Sequence, residues 1–85
     1  MDNLRIVGIL IKDRIKEAGK TQTILSEYGD IIRSRMGYHE VSEAVCSRIG
    51  LLILTLQGEE EAQKTMIEAL THIGGIEVKE MTFPI

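Results

Sequence analysis

The residue pattern predicts an α+β domain of order βαββαβ, an antiparallel four-stranded sheet with two helices on one face. Three observations carry that expectation. Two aliphatic runs, Leu4 to Ile11 and Arg48 to Gln57, place apolar residues on both alternation sets, as strands buried on both sides do. Two further segments carry apolar residues at spacings of three and four, the stripe of a helix packed on one side. Glycines at 29, 37, 58 and 74–75 punctuate the points where the period changes.

The first strand takes Leu4 to Ile11, with Val7, Ile9 and Ile11 on one alternation set and Leu4, Ile6 and Leu10 on the other. Asp13 suits the cap of a following helix, whose stripe is Ala18, Thr21, Ile24, Leu25 and Tyr28. Gly19 costs its early turns up to about 1 kcal/mol against alanine, which places the helix start near Glu17. Gly29 is expected to close the helix in the left-handed conformation.

The second strand then alternates Ile32, Ser34 and Met36 against Ile31, Arg33 and Arg35, ending at Gly37. Its charged set predicts an edge position or a face shared with solvent or a ligand. Tyr38 to Ser47 is polar and acidic, with Val41, Ala44 and Val45 at helical spacing for about one turn, and is expected to be a loop. The third strand, Arg48 to Gln57, sets Ile49, Leu51 and Ile53 against Leu52, Leu54 and Leu56. After Gly58, the acidic run Glu59-Glu60-Glu61 suits the first turn of a helix with the stripe Ala62, Met66, Ala69, Leu70 and Ile73. The closing strand, Ile76 to Phe83, changes phase before Met81, which predicts a bulge or a twist near Lys79-Glu80, and Pro84 ends the pairing.

Right-handed crossovers in this order put the first and third strands in the centre and the second and fourth at the edges. With both helices on one face, Val7, Ile9, Ile11, Ile49, Leu51 and Ile53, or their alternates, form a broad apolar patch on the other. A homodimer or homotetramer is expected to cover it.

At 85 residues and 44% hydrophobic content, the chain supports one domain over residues 1–85. Ten basic residues against thirteen acidic ones give a net charge of −3, which disfavours direct nucleic-acid binding. Cys46 is the only cysteine and Asp2-Asn3-Leu4-Arg5 lacks a signal-peptide pattern, so a reducing, cytoplasmic setting is expected. The longest apolar run, Ile6 to Ile11, falls far below the roughly 20 residues of a membrane span.

Candidate chemistry is sparse. Arg33 and Arg35 share an alternation set and Arg48 follows on the next strand, so the three are candidate ligands for a carboxylate or phosphate. Ion pairing with Asp30, Glu40 and Glu43 accounts for the same arginines without a ligand. His39 and Cys46 are candidate soft metal ligands, but two donors need others from across a subunit interface, and a lone cysteine is ordinarily a small buried residue. His72 falls at a helix C-terminus, where the dipole explains a histidine. Adjacent glutamates such as Glu59 to Glu61 fan around a helix and do not converge on one ion. No serine stands in a nucleophile elbow and no glycine loop precedes a helix as a phosphate cradle, so an enzyme is not expected.

One combination of segments is more specific. Lys12-Asp13-Arg14 follows the opening strand. Ile24-Leu25-Ser26-Glu27-Tyr28-Gly29-Asp30-Ile31-Ile32 and Arg35-Met36-Gly37 come next, and an aliphatic strand ending at Gly58 and Gly75-Ile76-Glu77-Val78 complete the set. Together they resemble the family of iron-only hydrogenase system regulators. The resemblance implies an ACT-like, ferredoxin-like fold similar to the effector domain of the nickel-responsive repressor. It further implies a homo-oligomer that senses a small effector at a subunit interface and lacks a DNA-binding segment of its own. Two features depart from the family pattern: the stretch Tyr38 to Ser47 is longer than the usual connection and contains His39 and Cys46. In addition, Lys12-Asp13-Arg14 replaces the glycine-containing first loop that many ACT domains use for amino acids. The functional expectation is therefore a regulatory or sensor domain with a small-molecule or metal effector. The alternatives are a metal-binding module using His39 and Cys46, and a structural partner of a hydrogenase-related complex.

Overall fold

A computed structural model describes residues 3–41 and 46–85, and the side chains of Arg14, 38–41 and 46–48 lie outside that description. The elements follow the predicted order: β1 Asn3–Ile11, α1 Arg14–Glu27, a 3-10 turn Gly29–Ile31, β2 Ile32–Val41, β3 Cys46–Leu56, α2 Glu60–Thr71 and β4 Ile76–Pro84. The sheet is antiparallel in the order β2-β3-β1-β4. The two strands that are apolar on both sides are thus central, and the strand with the charged alternation set is an edge.

Four local expectations are corrected. Asp13 accepts hydrogen bonds from the backbone N–H groups of Ile15 and Lys16, so α1 starts at Arg14 instead of near Glu17. A satisfied cap is worth about 1 kcal/mol, enough to offset Gly19 within the helix. Among the described residues the glycines at positive φ are Gly58 and Gly75, not Gly29. The chain instead leaves α1 through Tyr28, whose N–H bonds the Ile24 carbonyl, and Ile31 N–H then bonds the Tyr28 carbonyl to close the 3-10 turn.

The third correction concerns Tyr38 to Ser47. β2 continues to Val41 and β3 begins at Cys46, with Val41 opposite Cys46 and His39 opposite Gly50. Tyr38 and His39 still lie beside the four-stranded sheet, and the described residues beyond them form a two-stranded ribbon past the end of β1, whose own pairing stops at Ile11 and Gly50. Strand pairing is made by backbone groups, which the residue pattern does not record. The turn expected around Ala44 and Val45, and the proposed partner Glu43, fall outside the described residues.

Fourth, β4 pairs with β1 without a register break, from Ile11 opposite Ile76 to Asn3 opposite Pro84. The phase change expected at Lys79-Glu80 is not a bulge. Ile76 and Val78 face the helices while Met81 and Phe83 face the other side, and both sides of this sheet are apolar. The irregularities lie in the β2–β3 pairing: Ile32 pairs with Leu56 and Ser34 with Thr55, leaving Arg33 as an extra residue, and a second register shift falls between His39 and Val41.

The core lies between the sheet and the helices. Val7, Ile9 and Ile11 from β1 and Leu54 and Leu56 from β3 pack with Leu25, Met66, Leu70, Ile31 and Ile73 in one buried cluster. The register joins the β1 set containing Val7 to the β3 set containing Leu54, so Val7 and Ile53 stand on opposite faces. On α1 the buried line is Glu17, Thr21 and Leu25, at a strict spacing of four, with Ala18 only partly covered. Thr21 returns its hydroxyl to the Glu17 carbonyl, which satisfies it inside the core.

Two glycine turns lock the corners. Gly75 has φ +83°, and its carbonyl accepts the Lys12 N–H at 2.9 Å, tying the α2–β4 turn to the end of β1. Gly58 has φ +87° and lies against Ile31, while Gln57 N–H bonds the Ile31 carbonyl at 2.8 Å. The second link anchors the 3-10 turn, and with it the entry to β2.

Candidate functional site

The helix-free face of the sheet is the largest feature left open by the fold. β1 contributes Leu4, Ile6, Gly8 and Leu10, β3 contributes Ile49, Leu51 and Ile53, β2 contributes Met36, and β4 contributes Met81 and Phe83. Met36 is 64% exposed, Met81 57%, Ile49 52% and Phe83 50%, an apolar display well beyond scattered surface residues. Gly8 interrupts its centre. Shallow depressions of about 310 and 150 Å³ flank that glycine, the first lined by Leu10, Leu51, Glu77 and Lys79, the second by Ile6, Ile53, Glu80 and Met81. Lys79 and Glu77 stand 3.6 Å apart at the rim of this face on β4.

The predicted arginine group does not assemble as one cluster. Arg35 lies opposite Leu54, on the helix side of the edge strand, and its Nη2 donates to Gln22 Oε1 of α1 at 3.1 Å. Arg33 is the exposed extra residue of the bulge. Arg48 lies six positions along β3 from Leu54, roughly 20 Å by strand rise. Its side chain is outside the described residues, as are those of His39 and Cys46. The backbone puts His39 opposite Gly50, at the end of the four-stranded part, and Cys46 opposite Val41 in the ribbon beyond it. Among the described residues no group of three or more His, Cys, Asp or Glu side chains could hold a metal ion. His72 is the C-cap of α2, with its Nδ1 2.8 Å from the Glu68 carbonyl.

Sequence reasoning passed over Arg5. It occupies the helix-facing set of β1 with Val7 and Ile9, and is 8% exposed. Its Nη2 bonds Glu60 Oε2 at 3.0 Å, while Nε lies 3.4 Å from both Thr82 Oγ1 and Glu80 Oε1. Nη1 is buried without a hydrogen-bond partner. Beside it a polar cleft of about 290 Å³ is lined by Asn3, Gly58, Glu59, Glu60 and Gln63, whose Nε2 donates to the Gly58 carbonyl. The signal was a charged residue in phase with Val7, Ile9 and Ile11, in a run otherwise fit for a core.

Solved structures show which class this architecture falls in. The uncharacterized protein TM1266 from Thermotoga maritima matches with a TM-score of 0.82 at 22% identity, covering 98% of this chain and 99% of that one. The ACT domain of the GTP pyrophosphokinase of Chlorobium tepidum matches with a TM-score of 0.66 at 13% identity, over 95% of this chain and 100% of that one. CPII, a nitrogen regulatory PII-like protein from Thiomonas intermedia bound to ADP, AMP and bicarbonate, gives 0.57 at 11%, over 95% and 94%. The chain therefore has the ferredoxin-like fold of ACT domains. No curated protein sequence matches it. A family model matches residues 3–80, that of the TM1266-like family described as "Iron-only hydrogenase system regulator, putative", and the chain belongs to that family.

Proposed function

We propose that this chain is a non-catalytic regulatory domain of the iron-only hydrogenase system, working as a homo-oligomer that takes up a small effector at a subunit interface. Family membership supports the regulatory role. The observation that carries the assembly is the open sheet face: a domain whose helices cover one side of a sheet apolar on both sides has a second hydrophobic surface that association would bury. Likeness of fold to an ACT domain and to a nucleotide-bound PII-like protein supports the effector reading. On this chain the polar surfaces available to such a molecule are the cleft beside Arg5 and the edge of β2 carrying Arg33 and Arg35.

The test is thermal unfolding of the purified chain against separate panels of adenine nucleotides, amino acids, bicarbonate and divalent metal ions. One class is expected to raise the melting temperature in a saturable way, because a ligand that binds only the folded state stabilises it by mass action. If no class shifts it while the chain co-purifies with hydrogenase-system proteins, the role is that of a structural partner. A stoichiometric metal lost on His39→Ala or Cys46→Ser would move the effector to the ribbon.

A further inference from the structure

We propose that two copies of this chain pack their open sheet faces together about a two-fold axis lying along the strands between β1 and β3, with Ile53 of each copy seated in the notch left by Gly8 of the other. This rests on reading the chain as a homo-oligomer and states where and how the copies meet.

Gly8 is the starting observation. It sits mid-strand at negative φ, where glycine weakens a strand by roughly 0.5–1 kcal/mol, so its own backbone does not require it. Nor does space within the chain: a Cβ built there meets only the Lys79 carbonyl oxygen, at 4.0 Å, an ordinary contact. Gly37 differs, since a Cβ there would come within 2.7 Å of Leu52 Cδ2. The missing side chain at position 8 thus leaves a hole in the outer surface of the sheet, and a glycine in such a place commonly marks close approach by something outside the strand.

The register supplies the group that fits. Across the sheet, Met36, Ile53, Gly8 and Lys79 lie side by side in one row, on β2, β3, β1 and β4 in turn. Rotation about an axis between β3 and β1 reverses that row, setting Ile53 over the partner copy's notch and Met36 over the aliphatic stem of its lysine. Both copies gain the same contact at once, which is the defining property of a two-fold interface. In the neighbouring rows the rotation sets Leu51 over Leu10, an apolar contact, and Thr55, whose hydroxyl is engaged by Ser34, over Ile6. The Lys79–Glu77 pair, with side chains 82% and 48% exposed, falls at the margin, as charged groups do around an apolar interface.

The area fits a weak dimer. The strand and row spacings, about 4.8 Å and 3.3 Å, give the four strands and the paired rows Arg5 to Ile11 a face of roughly 450 Å² per copy before corrugation. Two such faces bury on the order of 900 Å² before corrugation, in the range of weak, concentration-dependent association.

Sedimentation equilibrium across the micromolar range tests the arrangement. The parent chain is expected to dimerise. Gly8→Leu, which fills the notch, is expected to retain the circular-dichroism spectrum and raise the dimer dissociation constant at least about tenfold. The double variant Gly8→Leu/Ile53→Ala, which trims the group facing the filled notch, is expected to recover most of that loss. If Gly8→Leu does not fold, Ile53→Ala, at a position outside the core cluster, gives the answer: a weakened dimer supports the arrangement and an unchanged one overturns it. A folded Gly8→Leu dimer of unchanged affinity overturns the face-to-face packing while leaving the homo-oligomer in place. A parent chain that stays monomeric overturns both.

Discussion

Gly75 carries two constraints at one Cα. Its φ of +83° lies where side chains are strained, and a Cβ there would come within 3.1 Å of Glu17, a residue only 5% exposed. Gly75→Ala should therefore lower stability by about 2 kcal/mol, roughly 10 °C in melting temperature for a domain of this size. A change under a few degrees would show that the turn relaxes freely. Arg5 is the opposite case, a charge whose removal should cost little. Its guanidinium is buried, but Glu60 and Glu80 have side chains 56% and 45% exposed, so the ion pairs gain little against the cost of burying the cation. Arg5→Met, of similar length, should leave unfolding by urea within about 1 kcal/mol of the parent. A loss above about 3 kcal/mol would mean that the buried Nη1 has a role the hydrogen bonds do not reveal. If the cleft beside it takes the effector, the same variant loses the ligand-induced thermal shift while keeping its fold.

At the scale of elements, backbone amides divide by position in the sheet. β1 and β3 have neighbours on both sides and supply most of the sheet's core residues, whereas β2 and β4 are edges. Hydrogen exchange should show Val7, Ile9 and Leu54 opening only with global unfolding, and alternate amides of β4 exchanging far sooner. Equal protection along the outer edge of β4 would point instead to copies joined edge to edge. The same division explains what the residues disclosed before any coordinates. β1 and β3 were legible as aliphatic runs apolar on both alternation sets, and α2 because burial on one side imposes a period on it. The α1 stripe was legible except for Glu17, since a buried glutamate breaks the rule from which stripes are read. The strand pairing beyond Gly37 was not, because it is made by backbone groups, which the residue pattern does not record. The phase change in β4 did not separate a bulge from a twist, because it is evidence of irregularity only if one face is polar.

For the whole molecule, the candidate site was less legible than the fold. Arg33, Arg35 and Arg48 converge only if spacing in sequence is spacing in space, and the bulge at Arg33 together with the length of β3 separates them. Arg5 and Gly8 could be weighed only once the register showed which face each occupied, since a charge or a gap has no meaning until its neighbours across the strands are known. One feature of the register reaches further. Asn3 pairs with Pro84, so the first and last strands meet at the same end of the sheet, side by side. Joining them there by a short peptide and opening the chain between Val41 and Cys46 would give the order β3-α2-β4-β1-α1-β2. That order is again βαββαβ, and its strands, renumbered, stand in the same spatial sequence as before. The architecture is thus two topologically equivalent βαβ halves, so that β1 and β3 are interchangeable as the starting strand.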